Sequence, residues 1–255
     1  GFNEIVLTGI HISSYGLDTV GESYNRRTDN PFLAELVEKI DRDTGIERIR
    51  LGSLEPRIVT EDFARRISGV KSICPHFHLS LQSGSDTVLK RMNRHYTIEQ
   101  YAESLELLKN AFDKPAVTTD VIVGFPGETE QEFEETVHYL ESSGLYMLHV
   151  FKFSSRKGTR AAGMPGQLTE RVKHERSKVL IELSDRLGAE YLKEKEGSGC
   201  ELLIERKEDA GGHKLYAGHT REYIHAFVPD SPELKENMLI RGRLINRDGR
   251  FSVIR

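Results

Sequence analysis

The sequence has 255 residues, 30% charged and 37% hydrophobic, with a formal net charge of -4. That is enough for one large domain, or one plus a small appendage. The balance excludes a uniformly basic nucleic-acid binder but leaves a local basic face open. No apolar run approaches the roughly 20 residues that a membrane helix needs. No signal peptide is visible, so the expected location is cytoplasmic and no membrane partner is expected. Two cysteines, Cys74 and Cys200, exclude a disulfide scaffold and any three- or four-cysteine metal site within this chain.

The chain opens without an initiator Met and enters a buried strand, "EIVLTG" (Glu4–Gly9), almost at once. This reads either as a domain that begins with a strand or as a fragment cut inside a larger fold. A polar loop leads to a helix with Asn30 as N-cap and Pro31 in the first turn. Its apolar face is Phe32, Leu33, Leu36, Val37 and Ile40. "RIRLGSL" (Arg48–Leu54) is the next strand, and a short helix is expected near Asp62–Ser68. In "HFHLSLQSGSD" (His76–Asp86), strict alternation marks a half-buried strand that ends in a small polar cluster. Two helices should follow. One covers Asp86–Met92. The other opens on the capping box Thr97–Gln100 and turns Tyr101, Leu105 and Leu108 inward.

"TTDVIVGF" (Thr118–Phe125) is the fourth strand. A second capping box, Thr129–Glu132, opens a helix with Phe133, Val137 and Leu140 inside. "YMLHVFKFS" (Tyr146–Ser154) is the fifth strand. From Thr169 to about Glu196 runs a long amphipathic helix with Val172, Val179, Leu183, Leu187 and Tyr191 on one face. Short alternating segments then follow, with turn signals at Gly211-Gly212 and Asp248-Gly249. Helix-separated strands pair in parallel through right-handed crossovers. The expected fold class is therefore α/β, a barrel or a doubly wound sheet over residues 1–195. A small all-β barrel is expected over 196–255.

In either α/β architecture, ligands sit at the C-terminal strand ends. Each of these strands ends in loop-type residues. Gly124-Phe125-Pro126-Gly127 lacks the Lys-Ser/Thr pair of a phosphate loop. It is either a tight turn or a place where backbone and the Phe125 ring approach a ligand. His76 and His78 share one side of their strand without partners at metal-ligand spacing, so they read as core or site lining. Gln82 and Ser83 can donate and accept together. Glu55 could bind an ammonium or a ribose, or cap the next helix. Lys90, Arg91, Arg94 and His95 form one basic cluster, and Arg156, Lys157 and Arg160 form another. Each is either solvated charge or a phosphate contact. No nucleophile–base arrangement stands out and no catalytic residue is assigned, which points to cofactor chemistry with the protein as positioner.

"EIVLTGIHISSYG", "RIRLGSLEP", "HFHLSLQSGSDTVLKRMNRHYT", "TDVIVGFPGETEQEFEET" and "FKFSSRKGTRAAGMPGQ" resemble, in order, the radical S-adenosylmethionine (SAM) methylthiotransferases. Within that family they look most like the branch that converts N6-threonylcarbamoyladenosine beside the tRNA anticodon to its 2-methylthio form. "AGHTREYIHAFV" resembles the family's TRAM domain, a small OB-like barrel that binds RNA. The resemblance implies a partial (β/α) radical-SAM barrel lacking its first strand, with SAM as cofactor and the tRNA anticodon stem-loop as partner. It also implies two [4Fe–4S] clusters in a longer parent. Neither cysteine here matches a cluster ligand, so this chain alone should not turn over.

SAM-facing positions implied by the resemblance and by strand-end placement are Gly9, Ser53, Glu55, His78, Gln82, Ser83, Arg94, Asp120, Phe125 and Phe153. RNA-facing positions are Arg156, Lys157, Arg160, Arg206, Lys207, Lys214, Arg221, Arg241 and Arg243. Alternatives are a cluster-less RNA- or nucleoside-binding module, or a relative acting on isopentenyladenosine or on a ribosomal-protein aspartate.

Overall fold

In a computed structural model, the structure describes residues 1–21, 30–210, 213–247 and 249–254. The turns read at Gly211-Gly212 and at Asp248 lie outside the described residues. Six parallel strand segments form an open arc. β1 (Glu4–Leu7) pairs with β2 (Arg48–Leu51). β3 (Ser53–Leu54), β4 (His76–Leu79), β5 (Ala116–Val123) and β6 (Met147–Lys152) follow in that order. The crossovers carry α1 (Phe32–Thr44), α2 (Glu61–Ser68), α3 (Asp86–Arg91), α4 (Ile98–Ala111) and α5 (Glu130–Ser142). The long α6 (Glu170–Lys195) then lies against β6 and α5.

The strand expected over Arg48–Leu54 is two segments. The break is at Gly52, whose amide donates to the Leu7 carbonyl at 2.7 Å. A Cβ there would sit 3.1 Å from that same carbonyl and from the Thr8 hydroxyl. The missing side chain thus lets β1 approach while the chain bends to pair with β4. The cap of α1 is shifted by one residue. Pro31 stands at the cap, while Asn30 accepts from the Phe32 amide and donates to the Ser13 and Tyr15 carbonyls. Both capping boxes form as expected. On α6 the buried arc runs through Leu180, Leu183 and Leu187 rather than Val179, which is exposed. The 3–4 spacing of those leucines keeps them on one stripe that Val179 falls outside.

Within β2, Ile49 and Leu51 join the main apolar core, while Arg48 and Arg50 point into the arc. The C-terminal part is a closed five-stranded barrel, ordered β10-β11-β9-β8-β7. Its strands are β7 (Gly199–Ala210), β8 (His213–Thr220), β9 (His225–Pro229), β10 (Leu239–Arg247) and β11 (Arg250–Ile254). It has its own core of Leu202, Ile204, Tyr216, Ala226, Leu244 and Val253. The barrel closes the N-terminal end of the arc. Arg48, fully buried, donates to the His219 and Thr220 carbonyls and pairs with Glu4 at 2.8 Å. Arg50 donates to the Thr220 and Arg221 carbonyls and also pairs with Glu4. Tyr223 is stacked between His76 and His219, at 4.7 and 4.4 Å. Burial, reinforced by the Arg50 charge, holds His76 down to about 3, so it packs as a neutral ring.

At the other end, the chain after β4 bulges before it rejoins β5. Three buried hydroxyls satisfy the freed backbone. Thr119 accepts from the Leu81 amide at 3.0 Å and donates to the Leu79 carbonyl at 2.6 Å. Tyr101 donates to Leu79, and Tyr96 donates to Ser80 and Leu81. Burial pushes both phenols up, so they remain donors. Helix α5 holds the loop that follows. Thr136 accepts from the Gly84 amide, and a Cβ on Gly84 would lie 2.6 Å from the Thr136 Cα. Glu132 accepts from Thr87 and from both terminal nitrogens of Arg91.

Replacing Thr119 with the near-isosteric Val removes a donor and an acceptor from two buried backbone groups. Thr119→Val should lower the unfolding free energy by about 1–3 kcal/mol in a urea titration; an unchanged midpoint would mean the bulge does not depend on it. The Arg91 hydrogen bonds hold Glu132 down from 4.5 to about 2. Its folded value is lowered, so its stabilisation is full above pH 4.5 and is lost as pH falls through about 2. Glu132→Gln should flatten the acid limb of the pH–stability curve in that window, and an unaltered limb would place the acid sensitivity elsewhere.

Candidate functional site

Parallel strands bring their C-terminal ends to one rim of the arc. Register sets Ser53 beside His78 and Asp120 beside His149. The period of two turns His78, Thr118 and Asp120 into the arc. His78 Nδ1 lies 3.0 Å from the Thr118 hydroxyl and Nε2 lies 3.2 Å from the Asp120 carboxylate. The His149 ring is 5.4 Å from that of His78. Burial and the neighbouring His78 lower the basicity of His149, with Asp120 opposing them. One strand earlier, the Ser53 and Ser80 hydroxyls hydrogen-bond at 2.7 Å.

Gln82 is the unusual residue of this rim. Its φ is +72°, in the left-handed region that non-glycine residues rarely adopt. Its backbone is fixed in that conformation by pairing with β5: the amide donates to the Asp120 carbonyl and the carbonyl accepts from the Ile122 amide. The residue is only 7% exposed, yet its side-chain amide has no hydrogen bond to a described residue. Its side-chain polar atoms are not among the buried atoms left without a partner, so the carboxamide opens onto the rim with its donor and acceptor both available to a bound group. Backbone strain and an unpartnered amide thus coincide at the strand end.

The other sequence-derived positions separate into groups. The Glu55 amide donates to the Ser13 hydroxyl, while its carboxylate meets His11 at 3.0 Å. Glu55 and Arg94 both lie near enough to the Tyr96 phenol to act on its ionisation. Ser83 is fully buried and its hydroxyl is turned toward Thr136, so it stiffens the loop and does not face the arc. Phe125 is buried edge-to-face on Phe153 at 5.2 Å. Phe153 is half-buried and carries the Lys173 ammonium over its ring at 5.6 Å. Gly9 lies apart, in a cleft of about 770 Å³ between the loop after β1 and α1. The Glu55–His11 contact joins that cleft to the rim.

Sequence reading missed Ser80, Thr118 and His149, although the period-two rule that found His78 also places them. Arg176 was missed as well, because its partner is remote. From α6 it donates to the Glu128 carboxylate at 2.6 Å and to the Glu128 carbonyl at 3.0 Å, and Glu128 accepts from the Gly124 amide. Among the described residues, no group of three or more His, Cys, Asp or Glu could hold a metal ion. Burial pushes the Cys74 thiol up, beside Glu4 beneath the arc, and pushes Cys200 in the C-terminal barrel up to about 11.

The basic candidates also divide. Arg156, Lys157 and Arg160 are exposed on the loop after β6, on the strand-end side. Arg206, Lys207 and Arg241 are ion-paired with Glu208, Asp230 and Glu201. Arg221 is committed to the junction, donating to the Lys71 and Ile73 carbonyls. It therefore holds the barrel on the arc and does not offer a free cation. Lys214 and Arg243 are exposed. Among the described residues, no helix is long and apolar enough to cross a membrane.

The family model for the radical SAM superfamily matches residues 3–140, just over half of the chain. A threonylcarbamoyladenosine tRNA methylthiotransferase, MtaB, of Bacillus subtilis is 42% identical over 88% of this chain and 48% of its own length. Its counterpart in Chlamydia pneumoniae is 39% identical over 85% of this chain and 49% of its own. A tRNA-2-methylthio-N(6)-dimethylallyladenosine synthase of Pelotomaculum thermopropionicum is 38% identical over 85% of this chain and 46% of its own. The chain thus spans about half the length of the curated relatives it matches. In fold it is similar to coproporphyrinogen III oxidase of Escherichia coli, a radical SAM enzyme, at a TM-score of 0.53 and 15% identity over 87% of this chain and 63% of that one. The chain belongs to the radical SAM superfamily, and its curated relatives there include tRNA methylthiotransferases.

Proposed function

We propose that this chain is the SAM-binding core and RNA-binding barrel of a tRNA methylthiotransferase. Its substrate is N6-threonylcarbamoyladenosine beside the anticodon, which receives a methylthio group at C2. The observation that carries the SAM site is Gln82, a residue held at positive φ on the rim whose side-chain amide makes no hydrogen bond to a described residue and is open to a ligand. Around it stand the group types that an adenosyl amino acid needs. Asp120 and Glu55 offer carboxylates for an ammonium or ribose hydroxyls, the Ser53–Ser80 pair can exchange hydrogen bonds, and the Phe153 edge offers an apolar face.

SAM, when bound, supplies the methyl group and, by resemblance, the means of activating an inert C–H bond. The residues of this chain bind and orient it. Gln82, fixed by β5, reads one polar edge. His78 has both ring nitrogens engaged, by Thr118 and Asp120, which fixes its ring orientation and steadies the Asp120 carboxylate at the rim. The Arg176–Glu128–Gly124 contacts set the loop after β5. An iron–sulfur cluster does not fit the described residues, because Cys74 and Cys200 lie in separate parts of the fold. The two clusters expected in the whole enzyme therefore draw on ligands other than these cysteines, and this chain by itself binds without turning over.

The threonylcarbamoyl branch is favoured over the isopentenyladenosine branch by the names and identities of the Bacillus and Chlamydia relatives. Exposed Arg156, Lys157 and Arg160 near the rim are available for tRNA phosphates. Nucleoside mass spectrometry of tRNA from a strain lacking this chain's gene tests the assignment. Loss of the 2-methylthio form, accumulation of N6-threonylcarbamoyladenosine and no rescue by the Gln82→Gly variant are expected. Loss of methylthio-isopentenyladenosine instead would move the enzyme to that branch, and no change in either would overturn the reading.

A further inference from the structure

The C-terminal barrel holds a cavity of about 460 Å³ that the strand-end site does not use. Leu215, Phe227, Pro229 and Ile254 line it, with Arg247 and Arg250. The register explains this grouping. Leu244 and Val253 point into the barrel core, so the alternate residues of β10 and β11 face outward. Arg247 stands opposite Arg250 on that outer face, and Ser252 stands beside Phe227.

Three observations indicate what the cavity takes. First, Arg247 and Arg250 are exposed and form no ion pair with a described carboxylate, unlike Arg206, Lys207 and Arg241. Two cations without an ion pair to a described carboxylate, beside an apolar wall, complement an occupant that is anionic at one end. Glu233, the carboxylate of the lining, is engaged in an interaction of its own. Second, the Ser231 hydroxyl, also in the lining, is buried without a hydrogen-bond partner. Third, Phe227 ends a chain of ring contacts that runs from Tyr223 through His219 and His225. An aromatic ring, an unfilled hydroxyl and exposed guanidinium groups match a flat, hydrogen-bonding ring attached to a phosphate.

We propose that this pocket receives one unstacked nucleobase of an RNA, with Phe227 and the aliphatic walls against its faces, Ser231 at its polar edge and Arg247 and Arg250 on its phosphates. The inference rests on the reading of the barrel as RNA-binding and deepens it from a charged surface to a defined subsite. It shifts the specific contact away from the paired cations on β7 and β10, Arg206, Lys207 and Arg241.

Binding of unmodified tRNA to the full chain, measured by fluorescence anisotropy over a salt series, tests both levels. Arg247→Gln and Arg250→Gln should each weaken binding by about tenfold and each reduce the salt slope by about 1. Phe227→Leu keeps an apolar side chain for the fold but removes the ring, and should weaken binding by about 5- to 50-fold with the slope unchanged. Arg241→Gln, which breaks only the pair with Glu201, should bind within about twofold of wild type. Wild-type binding that all three pocket variants retain would overturn the pocket while the RNA-binding reading stands. Absence of tRNA binding by the wild-type chain would overturn both, and capture of a peptide or protein ligand by the pocket in place of RNA would overturn the nucleobase assignment.

Discussion

The constraint on which the site depends is the backbone bulge between β4 and β5. A parallel strand that simply ended at Leu79 would release its carbonyls into the core. Here the carbonyls of Leu79, Ser80 and Leu81 are taken up by Thr119, Tyr101 and Tyr96, and the chain rejoins β5 at Gln82. Each buried backbone group left without a partner would cost about 1–3 kcal/mol. Three such groups would be a large fraction of a domain's net stability. The hydroxyls therefore make possible a rigid, irregular strand end, and the left-handed conformation of Gln82 is its consequence. Strain at that residue persists because the surroundings over-determine it.

The two ends of the arc are managed oppositely. At the N-terminal end, charge and aromatic surface are sealed. Arg48, Arg50 and Glu4 form a buried group whose remaining donors go to carbonyls of the C-terminal barrel, and Tyr223 fills the space between His76 and His219. A buried ionic group of this kind is poor evidence for extra stability, but removing one partner from it is costly. It fixes how the barrel docks. At the C-terminal end, polar groups are left with spare hydrogen-bonding capacity, in Gln82, Asp120 and the Ser53–Ser80 pair. The seal at one end and the open rim at the other give the arc a single working mouth.

Much of this was legible from residue pattern. The alternation in "HFHLSLQ", the capping boxes at Thr97 and Thr129 and the leucine spacing on α6 each read a local period that the fold keeps. What was not legible depends on partners remote in sequence. The break at Gly52 comes from the approach of Leu7 and Thr8, and the inward turn of Ser83 comes from Thr136. Arg221 reads as a surface cation beside an RNA-binding motif, yet it is consumed by the carbonyls of Lys71 and Ile73 about 150 positions away. Val179 was misplaced because apolar character alone does not say which stripe of a long helix is covered. The strain at Gln82 had no sequence signal, since nothing in "LQSG" marks the glutamine, and not the glycine, as the left-handed residue.

On the proposed reading, the Gln82 carboxamide hydrogen-bonds a bound adenosyl amino acid. Its side-chain NH₂ resonances, assigned in ¹⁵N-labelled protein through a Gln82→Ala comparison, report on this directly. On titration with SAM they should shift and sharpen in step with the backbone amides of Ser53, Asp120 and Ile122, while those of the C-terminal barrel stay in place. Saturable SAM binding that leaves the Gln82 side chain unmoved, with shifts confined to the cleft between Gly9 and Lys39, would contradict it.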